Sequence, residues 1–147
     1  MAALHQYPIM YFVQDNGWDI SANAAETRAQ NIAEYCKGLN GLEIVSVDGS
    51  DFETCYAELN RIIDTIRTER RPFVFHAKVP LLGHHTSGVR KEWYRDDLEE
   101  AALRDPFPKL KKACEAAGVG LADLILAETN SRKKVEQAYT EALAAED

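Results

Sequence analysis

Two short stretches carry the residue types that do chemistry. One is Asp15-Asn16-Gly17-Trp18 and the other is Gly83-His84-His85-Thr86-Ser87. Carboxylates, amide side-chain oxygens and backbone carbonyls are hard ligands. They suit Mg²⁺, which takes few protein ligands when phosphate oxygens fill the remaining positions. The histidines of the second stretch fit phosphate binding or proton transfer near neutral pH. Zinc is disfavoured, because adjacent loop histidines rarely converge on one ion, no cysteine lies near, and C-x-x-C and H-E-x-x-H spacings do not occur. A P-loop and a G-x-G-x-x-G are also missing, and no nucleophilic Ser or Cys stands in a recognisable arrangement with a His and an Asp. Plain structural readings stand beside these. Asn-Gly is ordinary turn chemistry, and a lone strand histidine such as His76 is more often packed and hydrogen-bonded than a ligand. Taken together at one edge of one sheet, the two stretches point to a phosphate-and-metal site under a mobile His loop.

The elements that place them there follow from periodicity. Ile9 to Val13 is an unbroken apolar run of β-formers, stopped by Gln14 to Gly17. Such a run reads as a parallel strand covered on both faces. Ligands of open α/β sheets sit outside the carboxyl ends of the strands, which puts Asp15 to Trp18 at the working edge. A helix is expected from about Glu26 to Leu39, with Ile32, Tyr35, Cys36 and Leu39 at helical spacing and Asn40-Gly41 closing it. Leu42 to Val47 reads as a second strand. Asp48 to Asp51 ends that strand and opens a helix, with Ser50 and Glu53 as a capping box and Asp51 as a rival cap. Phe52, Tyr56, Leu59, Ile63 and Ile66 are expected along one face of that helix. The Asp48 cluster needs no ligand to explain it. Arg70-Arg71-Pro72 is a break, and Phe73 to Val79 is a third strand. Strands alternating with helices imply a parallel sheet with right-handed crossovers.

The loop from Pro80 to Lys91 is long, cationic and rich in turn residues, and it leaves the same edge. A short acidic helix follows around Asp97 to Leu103. Asp105-Pro106 opens another helix, Gly118 stops it, and a last helix runs from about Leu121 to Ala145. Leu121, Leu124, Ile125, Val135, Ala138 and Tyr139 give that helix a broken apolar seam, which is expected to pack on a neighbour or a second domain.

Composition sets the outer bounds. The chain has 147 residues, enough for one domain with a core, and a formal net charge of -7. That charge argues against nonspecific binding to nucleic acid or anionic membranes. No apolar run approaches the length of a bilayer span. Cys36, Cys55 and Cys114 are far apart and fit neither a disulfide framework nor a zinc ribbon. Without a basic, apolar leader at Met1, the expected location is cytoplasmic, with reduced thiols. Ala2 to Gln6 reads as the last turn of a helix running straight into the first strand, so a piece of a longer protein is expected.

In their order, the motifs resemble the alpha subunit of the thiamine-diphosphate-dependent 2-oxoacid dehydrogenases. That family has a strand ending in Asn-Asn-Gly or a close variant, here Asp15-Asn16-Gly17. An Ile-Ser follows, here Ile20-Ser21, and then a Val-Asp-Gly-x-Asp turn, here Val47 to Asp51. A Gly-His-Ser or Gly-His-His-Ser loop comes next, here Gly83-His84-His85-Thr86. Tyr94-Arg95 and Arg104-Asp105-Pro106 also match, so the likeness covers nearly the whole chain. The doubled histidine looks more like the branched-chain (2-oxoisovalerate) enzymes than pyruvate dehydrogenase.

The resemblance implies an α/β fold, a partial thiamine-diphosphate-binding fold with a parallel sheet of about three strands, flanking helices and a helical C-terminal region. It implies a diphosphate-binding core over 1–79, an active-site His loop over 80–95 and C-terminal helices over 96–147. Asn16 would bind Mg²⁺ through its side chain and Trp18 through its backbone carbonyl, with Gly17, Ile20 and Ser21 against the cofactor. His85, with His84 beside it, would lie near the thiamine and the lipoyl substrate. The implied partners are a beta chain or fused beta region, a lipoyl-bearing acyltransferase and a 2-oxoacid. The implied reaction is decarboxylation with acyl transfer to lipoyl groups, catalysed by the parent protein and not by this chain alone. Four departures stand out. Asp15 replaces the family's first Asn, Leu81 replaces an Arg that helps hold the diphosphate, Thr86 replaces the loop Ser, and the upstream Gly-Asp-Gly is absent. The alternatives are a pyruvate or acetoin dehydrogenase component, or a non-catalytic α/β interaction module supported by Leu81 and Asp15.

Overall fold

The computed structural model describes residues 1–86 and 88–145. The chain forms two compact units, Met1–Pro106 and Phe107–Asp147. In the first, α1 (Ala2–His5), β1 (Met10–Asp15), β2 (Trp18–Asp19) and β3 (Ala22–Asn23) lead into α2 (Ala24–Thr27) and α3 (Ile32–Cys36). Next come β4 (Glu43–Asp48), α4 (Phe52–Glu69), β5 (Phe73–Lys78), a 3-10 turn at Lys91–Trp93 and α5 (Leu98–Leu103). The helices α6 (Pro106–Ala116) and α7 (Leu121–Ala144) follow. The fold is α/β. Its main sheet is parallel, with order β1-β5-β4, flanking helices and a helical C-terminal region, as the sequence implies.

The centre of the sheet is β5, not β1. Both neighbours pair with β5 in register, Met10 and Glu43 each opposite Phe73. Phe73 and Phe75 are 0 % exposed, and they meet Val47, Ala77 and Ile62 of α4 to form the core. Each of the larger side chains contributes about 1.5–3 kcal/mol by leaving water. In contrast β1 is an edge strand, and Tyr11 and Phe12 are 45 % and 47 % exposed. Its apolar run therefore does not mark burial on both faces within this chain.

Two local expectations also change. Instead of one helix over 26–39 there are two short ones, because Asn23 and Asn31 each build a capping box, with Glu26 and Glu34 respectively. Between them Arg28 is extended, at φ -150° and ψ 142°. The inward face of α4 is Cys55, Leu59, Ile62 and Ile66, while Phe52 and Tyr56 stack on each other in solvent. Asp51, the rival cap, takes the N-cap and accepts from the Thr54 N–H. That choice starts the helix one residue later than a Ser50 cap would.

In the second unit, α6 ends where Gly118 turns left-handed at φ +89°, with the Gly118 and Val119 amides donating to the carbonyls of Glu115 and Cys114. Phe107, Leu110, Cys114, Leu124 and Ala127 line an apolar groove of about 440 Å³ between α6 and α7. Further along α7, Val135, Tyr139 and Leu143 stay exposed. No helix among the described residues is long and apolar enough to cross a membrane.

Candidate functional site

The carboxyl end of β1 is shaped by two consecutive side-chain turns. Asp15 Oδ1 accepts the Gly17 N–H at 3.1 Å, and Asn16 Oδ1 accepts the Trp18 N–H at 2.9 Å. Asx turns of this kind need only a short side-chain acceptor two residues upstream. Gly17 sits at φ +76°, a conformation that a side chain would strain. The chain then makes the small β2–β3 hairpin, whose corner holds Ile20 at φ 54° and Ser21. A β-branched residue with positive φ is an outlier, and such strain concentrates at functional sites.

Asp15 is a junction. Its Oδ1 also accepts from Arg28 Nη2 at 2.6 Å, and its Oδ2 lies 3.0 Å from His76 Nε2. Burial works to raise the Asp15 carboxyl, but hydrogen bonds from Arg28, His76 and the Gly17 amide outweigh it and hold the group below its ordinary value. His76 is fully buried mid-strand, with Ser46 Oγ 3.0 Å from its Nδ1. It is a satisfied strand histidine.

The turn opens onto a cleft of about 420 Å³, with Asn16 on its wall and the cations Arg28, Lys78 and Arg104 around it. Arg104 Nη2 donates to Asp48 Oδ1 at 3.3 Å and to the Lys78 carbonyl at 3.1 Å. The Ser50 N–H, followed by the Ser50 hydroxyl and Arg104, holds the Asp48 carboxyl below its ordinary value, against the effect of burial. Gly49 must be glycine, because a Cβ there would stand 2.5 Å from Val79 Cγ1. Thus Val47-Asp48-Gly49 packs the end of β4 against the end of β5, and Asp48 holds Arg104, which lines the cleft.

Trp18 leads elsewhere. Its Nε1–H donates to Asp97 Oδ2 at 3.2 Å, and the Arg95 guanidinium lies over its ring, 5.2 Å from the centroid. Arg95 grips Asp97 through Nε at 2.7 Å and Nη2 at 2.9 Å, and its Nη1 donates to the Leu81 carbonyl at 2.6 Å. The bidentate Arg95 contact is the main cause of the lowered Asp97 carboxyl, with Trp18 adding to it and burial opposing. This clamp ties the Asn16 turn to the base of the His loop. The loop histidines themselves are exposed, and His84 Nδ1 accepts the Lys91 N–H at 3.3 Å. Ser87 lies outside the described residues.

Of the residues singled out in the sequence, Asn16 and Gly17 line the cleft, whereas Trp18, Ile20, Ser21, His84 and His85 do not. The sequence reading missed Arg28, Lys78 and the clamp made by Arg95. The weak signal for Lys78 was its place near the carboxyl end of the expected strand over Phe73 to Val79, at the working edge.

The sequence profile of the Dehydrogenase E1 component family matches residues 1–147. The chain belongs to that family. It is 30 % identical over 121 residues to the 3-methyl-2-oxobutanoate dehydrogenase subunit alpha of Mycobacterium tuberculosis, covering 80 % of this chain and 33 % of the relative. It is 29 % identical over 146 residues to the mitochondrial 2-oxoisovalerate dehydrogenase subunit alpha of Bos taurus, covering 96 % and 32 %. It is 26 % identical over 141 residues to the pyruvate dehydrogenase E1 component subunit alpha of Zymomonas mobilis, covering 94 % and 40 %. The chain therefore spans about a third of the length of these relatives.

The Dehydrogenase E1 component family is thiamine-diphosphate-dependent, and the cleft offers part of the donor chemistry that such a group needs. The cations Arg28, Lys78 and Arg104 share the wall with Asp15, which pairs with Arg28, and with Glu34, so a small cationic excess faces a diphosphate, and Asn16 Oδ1 is a hard oxygen with a lone pair beyond its Asx bond. The donor count is short of an octahedral Mg²⁺ site, and no cluster of three or more His, Cys, Asp or Glu suited to a metal occurs among the described residues. A cation here needs phosphate oxygens and ligands from outside these residues.

Proposed function

We propose that the chain supplies one half of the thiamine-diphosphate site in the decarboxylating component of a branched-chain 2-oxoacid dehydrogenase, and that it is inactive alone. The observation that carries this reading is the Asn16 turn at the carboxyl edge of a parallel sheet, opening on a cleft walled by Arg28, Lys78 and Arg104. When bound, thiamine diphosphate supplies the carbon nucleophile and electron sink for decarboxylation. This chain's residues hold and orient. Asn16, through Oδ1, and Trp18, through its carbonyl, would hold Mg²⁺, with Gly17 on the cleft wall beside the diphosphate and Ile20 and Ser21 in the hairpin that follows, outside the cleft lining. His85, with His84 beside it, moves protons at the imidazole nitrogens during acyl transfer to a lipoyl arm. A beta chain or fused beta region completes the site, and a lipoyl-bearing acyltransferase receives the acyl group. The doubled histidine and the relatives named for 3-methyl-2-oxobutanoate and 2-oxoisovalerate favour a branched substrate. The pyruvate dehydrogenase relative keeps pyruvate as the second reading.

Calorimetric titration of thiamine diphosphate with Mg²⁺ tests the site, using this chain and the natural assembly that contains it. Binding to the assembly that is lost with Asn16→Ala, and no binding to the chain alone, is expected. Binding to neither overturns the reading and leaves a non-catalytic module. The substrate follows from turnover of the assembly on 3-methyl-2-oxobutanoate against pyruvate. Preference for pyruvate overturns the branched-chain assignment.

A further inference from the structure

Ser46, His76 and Asp15 form one hydrogen-bonded line across all three strands of the sheet, from β4 through β5 to β1. His76 is 0 % exposed, and the Asp15 side chain is 10 % exposed. The line ends on the turn beside the cleft, because Asp15 also holds the Gly17 amide at 3.1 Å and Arg28 at 2.6 Å. A buried carboxylate with fewer partners would be costly, so each donor matters to where this one sits.

We propose that His76 is a positioning residue. Through Asp15 it fixes the Asn16–Trp18 turn in the shape that points Asn16 Oδ1 at its ligand. The functional half of this statement rests on the reading of Asn16 as a cation ligand.

The proposal requires one proton placement. An ionised Asp15 only accepts, so the Nε2 of His76 must carry a proton. With a neutral ring, Nδ1 is then the acceptor of the Ser46 hydroxyl. The arrangement also separates His76 from a plain core residue. A ring that only fills space could be replaced by any side chain of like volume. One that holds Asp15 needs a donor at the Nε2 position.

The proton placement and the positioning are tested by NMR on the full 147-residue chain, with no metal or cofactor added. In the unmodified chain, ¹⁵N spectra of the imidazole should show a protonated Nε2 on His76. A bare Nε2 overturns the proposal, whatever any variant does. In His76→Phe, the Gly17 and Trp18 amides should exchange with solvent about tenfold faster or more, while the Phe75 and Val47 amides keep their protection. His76→Gln, which returns a donor toward Asp15, should restore most of the loss. Unchanged exchange at Gly17 and Trp18 in His76→Phe overturns positioning, and so does equal loss in the Phe and Gln variants. These measurements need no ligand. Failure of Asn16 to bind a cation shows only in the calorimetric titration, so the two failures are distinguishable.

Discussion

The turn from Asp15 to Trp18 and the loop from Leu82 to Arg90 leave the same edge of one sheet, yet they are held in opposite ways. The turn is closed by its own Asx bonds, by Arg28 and His76 on Asp15, and by Asp97 and Arg95 on Trp18. The loop is fastened at its ends, where Lys91 Nζ donates to the Leu82 carbonyl at 2.6 Å and the Lys91 amide meets His84. Both histidines face solvent. The chain therefore builds one half of the candidate site from its own residues, and it leaves the shape of the other half to whatever covers it. A ligand meeting the turn encounters a surface held by several partners, whereas one meeting His84 and His85 encounters side chains with few contacts in this chain.

Arg95 is the residue that both regions share, and its loss should have the largest effect. Its side chain is 0 % exposed and joins Asp97, the Leu81 carbonyl and the Trp18 ring. Arg95→Ala should lower unfolding stability by about 3 kcal/mol, the lower end for a broken buried pair because Asp97 is partly solvated. Arg95→Lys should recover less than half, since an ammonium cannot reproduce the fork and the stacking together. Urea unfolding reads both. A loss under about 1 kcal/mol for Arg95→Ala would mean that the turn and the loop base stand independently, and the comparison would lose its link.

Asp15 tests the turn alone. Asp15→Asn keeps an acceptor for Gly17 but removes the charge that meets Arg28 and His76. The expected loss near pH 7 is about 1.5 kcal/mol, as for a charge-assisted hydrogen bond. The folded carboxyl lies below its ordinary 3.8, so its contribution is present above that value and lost as pH falls through the lower, folded one. The gap between wild type and variant should therefore be constant from about pH 7 to 5 and close below about pH 4. A gap that widens in acid would reverse the assignment.

These two residues also show where the sequence was legible. Strand and helix positions could be read because apolar runs, capping residues and breakers are local, and Asp48 to Asp51 announced both an end and a start. The order of strands could not. Ile9 to Val13 looks more continuous than Phe73 to Ala77 because His76 interrupts the latter, yet β5 is the central strand. A histidine satisfied by Ser46 and Asp15 does not break a core, but its partners lie 30 and 61 residues away in sequence. The Arg95 clamp was hidden for the same reason, since Trp18 and Asp97 are 79 residues apart. The Asn16 turn was visible because its bonds reach only two residues. The boundary inside the expected helix over 26–39 was visible too, in Asn31 and Glu34, but helical spacing across the break outweighed it.

Ile20 tests the turn from the other direction. It holds φ 54° while 42 % exposed, so it keeps backbone strain with little packing to offset it. Ile20→Gly should stabilise the chain by up to about 1 kcal/mol, measured by thermal unfolding, because relieved strain exceeds the added chain entropy. No gain would mean that the side chain is held more firmly than its exposure indicates. A gain in stability accompanied by weaker cofactor binding in the assembly would place the strain on the functional side.

The smallest change should come from the loop. His84→Ala and His85→Ala remove exposed side chains, and of the two only His84 makes a side-chain hydrogen bond among the described residues, accepting from the Lys91 amide at 3.3 Å. Each variant should shift unfolding stability by less than about 0.5 kcal/mol. If His85 serves acyl transfer, its loss should appear only in the assembled enzyme, as a fall in turnover with the chain's own stability unchanged. A destabilisation near that of Asp15→Asn would show instead that the chain folds the loop as firmly as the turn. The two halves of the site would then be equally preorganised, and the exposure of the histidines would no longer mark the side of the site that awaits a partner.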